Sequence, residues 1–139
     1  MAELLKLEVA TPLGLALSTD CESVAAPSVQ GEFGVLPGHL PLLAALQCGL
    51  LKYRVEGKDH VVAVGPGFVE AEPDRVRVLT DQLARPKELD EATVRKELEA
   101  AEEALKGFSE LREGPEYREL QRDVDWALAR LEAIEVVSR

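Results

Sequence analysis

The chain has 139 residues, 46% of them hydrophobic, with 26 acidic against 16 basic side chains and a formal net charge of −10. That size suits one domain or two small ones, the apolar content excludes wholesale disorder, and the acidic balance disfavours nucleic acid and anionic lipid surfaces as partners. No apolar run approaches the ~20 residues of a membrane span, and the start, Met1-Ala2-Glu3-Leu4-Leu5-Lys6, lacks a signal-peptide pattern, so a soluble cytoplasmic protein is expected.

From Leu4 to Asp81 the hydrophobic period is two. Leu5, Leu7 and Val9 alternate with Lys6 and Glu8, Tyr53 and Val55 with Arg54 and Glu56, and Val76 and Val78 with Arg75 and Arg77. Turn signals punctuate the pattern at Thr11-Pro12-Leu13-Gly14, Glu56-Gly57-Lys58-Asp59, Gly65-Pro66-Gly67 and Glu72-Pro73-Asp74. Short strands at this spacing predict an antiparallel β-sandwich of about eight to ten strands, with Val61–Val64 apolar enough to be covered on both faces. Cys21 and Cys48 lie far apart without metal-ligand spacing, and they read as reduced thiols.

Arg85-Pro86-Lys87-Glu88 ends the strand period. Val94, Leu98, Ala101, Leu105 and Phe108 then recur at spacings of four and three, one face of a helix, with Asp90 placed as its N-cap and Leu89 able to pack on Val94. Gly107 and Gly114-Pro115 separate it from a second helix, in which Tyr117, Leu120, Val124, Leu128, Leu131 and Ile134 form the predicted stripe. The expected class is therefore α+β in two parts: a sandwich over 1–85 and an antiparallel αα-hairpin over 86–139. The hairpin seam is thin, so it needs the sandwich or a partner to hold it. Trp126 falls away from that seam, which predicts that it packs either on the sandwich or on another subunit.

The densest stretch is Gly31 to Gly49, GEFGVLPGHLPLLAALQCG, an apolar segment stiffened by glycines and prolines that reads as a loop built to present a contact surface. Val24-Ala25-Ala26-Pro27, Gly31-Glu32-Phe33-Gly34-Val35-Leu36-Pro37-Gly38-His39, Pro41-Leu42-Leu43 and Gly49, with the later Gly67-Phe68-Val69-Glu70, resemble the epsilon subunits of bacterial F-type ATP synthases. The resemblance is strong over the first 85 or so residues and architectural beyond them. It implies a non-catalytic central-stalk subunit that couples proton flow and c-ring rotation to ATP synthesis, peripheral on the cytoplasmic side of the bacterial inner membrane. Its implied partners are the gamma subunit and the c-ring, met through Glu32, Phe33, Leu36, Pro37, His39 and Leu42, and the alpha/beta catalytic head, met through the C-terminal helices. On the residues alone, His39 also reads as a half-buried ring bonded to nearby backbone, and Glu32 as a turn carboxylate in water.

The chain shows no GxxxxGK[ST], HExxH or GxSxG pattern, and its carboxylate pairs Glu102-Glu103 and Asp123/Asp125 fall on predicted helix surfaces, so no catalytic residue and no metal ligand is assigned. In some members of the resembled family an Ile/Leu-Asp-x-x-Arg-Ala segment binds ATP. Leu89 and Asp90 match it, but Thr93 and Val94 occupy its last two positions, and Arg95 lies about 200° further around the helix. Asp90 and Arg95 are thus the weak nucleotide candidates, the mismatch weighs against ATP binding, and no cofactor is implied. The resemblance also implies inhibition of ATP hydrolysis by basic residues of the last helix. Arg118, Arg122 and Arg130, with Trp126, are the regulatory candidates, and pairing of those arginines within the helix is the alternative. A free-standing regulatory binding module outside any rotary complex is the competing function. It would expose the apolar GEFGVLPGHLPLL segment at a cost in solubility.

Overall fold

The computed structural model describes residues 3–108 and 113–138; Met1, Ala2, residues 109–112 in the joint between the two predicted helices, and Arg139 lie outside the described residues. Ten strands run in chain order: β1 Leu5–Thr11, β2 Gly14–Cys21, β3 Ser23–Ser28, β4 Gly31–Val35, β5 Leu42–Leu46, β6 Gly49–Val55, β7 Lys58–Val64, β8 Gly67–Glu72, β9 Arg75–Thr80 and β10 Leu83–Ala84. A 3₁₀ turn at Pro86–Glu88 leads to α1, Glu91–Lys106, and α2 spans Pro115–Ser138.

The strand order is β10-β7-β6-β3-β5-β8-β9-β1-β2, with β4 added to β3. A single bridge, Ser28 opposite Leu46, joins β3 to β5, so the sheet folds there into two layers. Leu5, Leu7, Val9, Val69, Val76 and Val78 from one layer meet Val24, Ala26, Leu51, Val62 and Val64 from the other in the main core. Pairing is antiparallel except between β1 and β9, which run parallel. These two strands come from the start and the end of the sandwich and have no hairpin to set their direction, so alternation alone does not reveal the parallel pair.

Strands β6 and β7 are covered on both sides, as the Val61–Val64 run suggests. Leu51, Val62 and Val64 point into the main core, while Leu50 and Ala63 form a second core with Ala129 and Ala133 of α2. The side chain of Asp90 caps α1, its Oδ2 accepting from the Thr93 amide at 3.3 Å and from the Thr93 hydroxyl at 2.6 Å.

The predicted α2 stripe requires one correction. Ala127 is fully buried and Leu128 is 48% exposed, so the buried stripe runs through Val124 and Ala127. Leu128 lies 100° past Ala127 and overshoots it. The 31–49 stretch also differs from the single loop expected, because Gly31–Val35 and Leu42–Leu46 are strands and only residues 36–41 connect them.

Candidate functional site

The 36–41 connection is tied down by backbone bonds. The His39 amide donates to the Leu36 carbonyl at 3.1 Å, and the Gly38 amide donates to the Pro73 carbonyl of the β8–β9 turn at 2.7 Å. Gly38 sits at φ +85°, a left-handed conformation that glycine adopts without strain. His39 is half-buried with Nδ1 2.6 Å from the Leu40 carbonyl, so in the neutral tautomer that donates there it closes the turn on itself. Leu36 and Leu40 project outward, 63% and 79% exposed.

The other partner candidates do not share that surface. Phe33 stands opposite the buried Ala26 and packs against the main core, which removes it as an exposed anchor. Glu32 is exposed on β4, its Oε2 3.1 Å from Lys52 Nζ. Pro37 is half-buried. Leu42 stands opposite the buried Ala71 yet is 36% exposed, and its neighbour Leu43, on the other face of β5, is 69% exposed.

Register assembles a larger surface from residues that the sequence scatters. Ala45 pairs with Phe68, Phe68 with Leu79, Leu79 with Ala10, and Ala10 with Leu15, so one row crosses β5, β8, β9, β1 and β2. Phe68, Leu79 and Leu15 are 57%, 59% and 60% exposed. At about 4.8 Å per strand the row is roughly 20 Å long. Leu43 continues it along β5 toward Leu40. The neighbouring row, Glu70, Arg77 and Glu8, is charged, with Arg77 Nε 3.9 Å from Glu8 Oε1. An apolar band with a charged border, on the layer opposite α2, is the pattern of a docking face. No strand contributes more than one or two of its side chains, and so the sequence reading missed it.

The helices turn inward on the opposite layer. Trp126 packs against the core formed by Leu50, Ala63, Ala129 and Ala133, which is the sandwich-docked alternative. Arg130 does not join a basic strip with Arg118 and Arg122. Its Nη1 lies 2.6 Å from Glu97 Oε2 of α1, its Nε donates to the Trp126 carbonyl, and its guanidinium covers the Trp126 ring at 5.2 Å. Arg118 and Arg122 remain exposed.

The nucleotide candidates are also engaged locally. Arg95 pairs with Glu91 one turn earlier, and the cap bond to the Thr93 side chain, then that to its amide, holds the Asp90 carboxyl below its ordinary range. Cys21 is buried with Sγ 3.7 Å from the Leu5 carbonyl, and Cys48 is half-buried beside the second core. Burial pushes both thiols up to about 11, helped by Asp20 at Cys21 and by Asp125 and then Asp81 at Cys48. Glu102, Glu103, Asp123 and Asp125 are exposed, His60 stacks on Tyr53 at 5.2 Å, and no cluster of metal-ligating side chains occurs among the described residues.

A β-sandwich with a banded apolar face on one layer and a helical hairpin strapped to the other is the architecture of a subunit built to dock on partners. The sequence profile of the ATP synthase delta/epsilon chain β-sandwich domain matches residues 4–86. The ATP synthase epsilon chain of Nitratidesulfovibrio vulgaris strain DP4 is 39% identical over 131 residues, 94% of this chain and 96% of that one. In fold the chain is similar to a chain in the cryo-EM structure of the Euglena gracilis mitochondrial ATP synthase, with TM-score 0.78 and 20% identity over all of this chain and 83% of that one. A chain of the Tetrahymena thermophila mitochondrial ATP synthase central stalk and c-ring gives TM-score 0.57 and 14% identity, covering 97% and 96%. The chain belongs to the epsilon chain family of F-type ATP synthases, and it is a non-catalytic subunit of the rotor stalk.

Proposed function

We propose that the Leu43–Ala45–Phe68–Leu79–Ala10–Leu15 band, with the Leu36–Leu40 loop at its end, is the face that docks on the gamma subunit. Glu32 and the β3–β4 turn then face the polar loops of the c-ring, where Val29 is also exposed. Residues 1–85 transmit torque as a stiff two-layer body, because packed cores have discrete arrangements and do not deform continuously. Residues 86–139 form the regulatory part, and Arg118 and Arg122 meet the alpha/beta head when the hairpin lifts. The assembly lies on the cytoplasmic face of the bacterial plasma membrane, which this chain reaches through its partners; among the described residues no helix is long and apolar enough to cross a membrane. Rotation of the ring by proton flow is thereby coupled to ATP synthesis in the head.

The observation that carries this reading is the five-strand apolar band on the layer free of helices. Its test is sedimentation of the chain with the purified catalytic head carrying gamma. Phe68→Glu with Leu79→Glu places two charges in the band without touching the core, and is expected to abolish co-sedimentation while leaving the circular dichroism spectrum unchanged. Unaltered binding by a folded double variant excludes the band as the docking face.

A further inference from the structure

Helix α2 has two buried faces, and one side chain stands between them. Ala129 and Ala133 lie on the sandwich with Trp126, while Val124 and Ala127 are buried on another side of the helix, outside that core. α1 rests principally on α2. Arg130 belongs to both contacts: it reaches Glu97 on α1 at 2.6 Å and lies over the Trp126 ring that packs on the sandwich. Only 13% of its side chain is exposed.

The geometry points to a clasp: Arg130 couples closure of the hairpin to docking of α2 on the sandwich, so that the two contacts open together. The reasoning is electrostatic and steric. A largely buried guanidinium is tolerated because it has a close anionic partner, a carbonyl to donate to and an aromatic face to lie on. When α1 leaves, Glu97 goes with it and Arg130 is left as an uncompensated charge in a partly dry site. The guanidinium regains solvation by swinging into water, and that motion uncovers the ring of Trp126. Loss of the α1 contact therefore loosens the α2 contact through one residue. Glu97 is half-exposed, which keeps the pair breakable, and a more deeply buried pair would resist release. The inference concerns the chain by itself and does not depend on the rotor assignment.

The chain contains one tryptophan, so its fluorescence reports Trp126 alone. The test compares Glu97→Gln with Glu99→Gln in the intact chain, using acrylamide quenching of Trp126 together with amide hydrogen exchange. Glu97→Gln is expected to raise exchange in α1 and in α2 together, by about threefold to fivefold as for a partly exposed pair, and to raise Trp126 quenching. Glu99→Gln is expected to change neither, and protection of Val69 and Val78 in the main core reports that the sandwich stays folded. Faster exchange confined to α1, with Trp126 quenching and α2 unchanged, overturns the coupling. So does a Glu97→Gln variant indistinguishable from Glu99→Gln.

Discussion

Gly67 lies where a Cβ would fall 1.8 Å from the Leu79 carbonyl oxygen, in the strand pair that carries Phe68 and Leu79 of the apolar band. Gly67→Ala is therefore expected to cost at least about 2 kcal/mol in denaturant unfolding, because backbone and not a side-chain tip must give way. The Glu32–Lys52 pair behaves differently: both side chains are about half-exposed, and Lys52→Ala is expected to change stability by no more than about 1 kcal/mol. Cys48 sets a pH dependence. Its thiol rises from 9.0 to about 11, so the neutral form contributes stability that is complete below pH 9 and lost as pH climbs through about 11. Cys21 adds a loss in the same window from the main core. Trp126, beside Cys48 in the second core, is expected to become more easily quenched between pH 9 and 11 in the wild type and less so in Cys48→Ala; identical profiles exclude Cys48 as the titrating group. At this scale the sequence was informative about Asp90, whose cap geometry follows from position. It misplaced Phe33, put in the partner contact by resemblance, since only the third dimension shows its ring turned to the core.

Among the elements, α2 carries the most information and was the least legible. A 3.6-residue period identifies a helix with one buried face, whereas α2 is buried on two, and alanines rather than leucines make up most of its buried positions. That is why Leu128 stood in for Ala127 in the predicted stripe. The strands were legible because each layer buries alternate residues, and β7 was legible as doubly covered because its apolar run is unbroken. The parallel β1–β9 pair and the apolar band were not, since both arise from which strands become neighbours. Two predictions belong here. Ala133→Asp places a carboxylate in the second core and is expected to release α2 while the sandwich keeps its exchange protection; a hairpin still docked contradicts the packing. Truncation after Lys87 removes both helices and is expected to raise ATP hydrolysis by the assembled enzyme, measured as turnover per complex. Unchanged turnover excludes an inhibitory hairpin.

Across the whole molecule, the two layers have separate tasks. The β6–β7 side is occupied by the chain's own helices, and the β8–β9–β1 side presents apolar residues to whatever lies beyond. A monomer with that band uncovered pays in solubility, and the proposed docking on the gamma subunit would cover it. The net charge of −10 offsets the exposure without explaining it. The most direct test is recovery of the tagged chain from detergent-solubilised membranes of its own cells, with ATPase activity assayed in the eluate. A multi-subunit complex with ATPase activity is predicted, lost when Phe68 and Leu79 are both changed to glutamate. Elution of the wild-type chain alone, without ATPase activity, would contradict docking in a rotary complex.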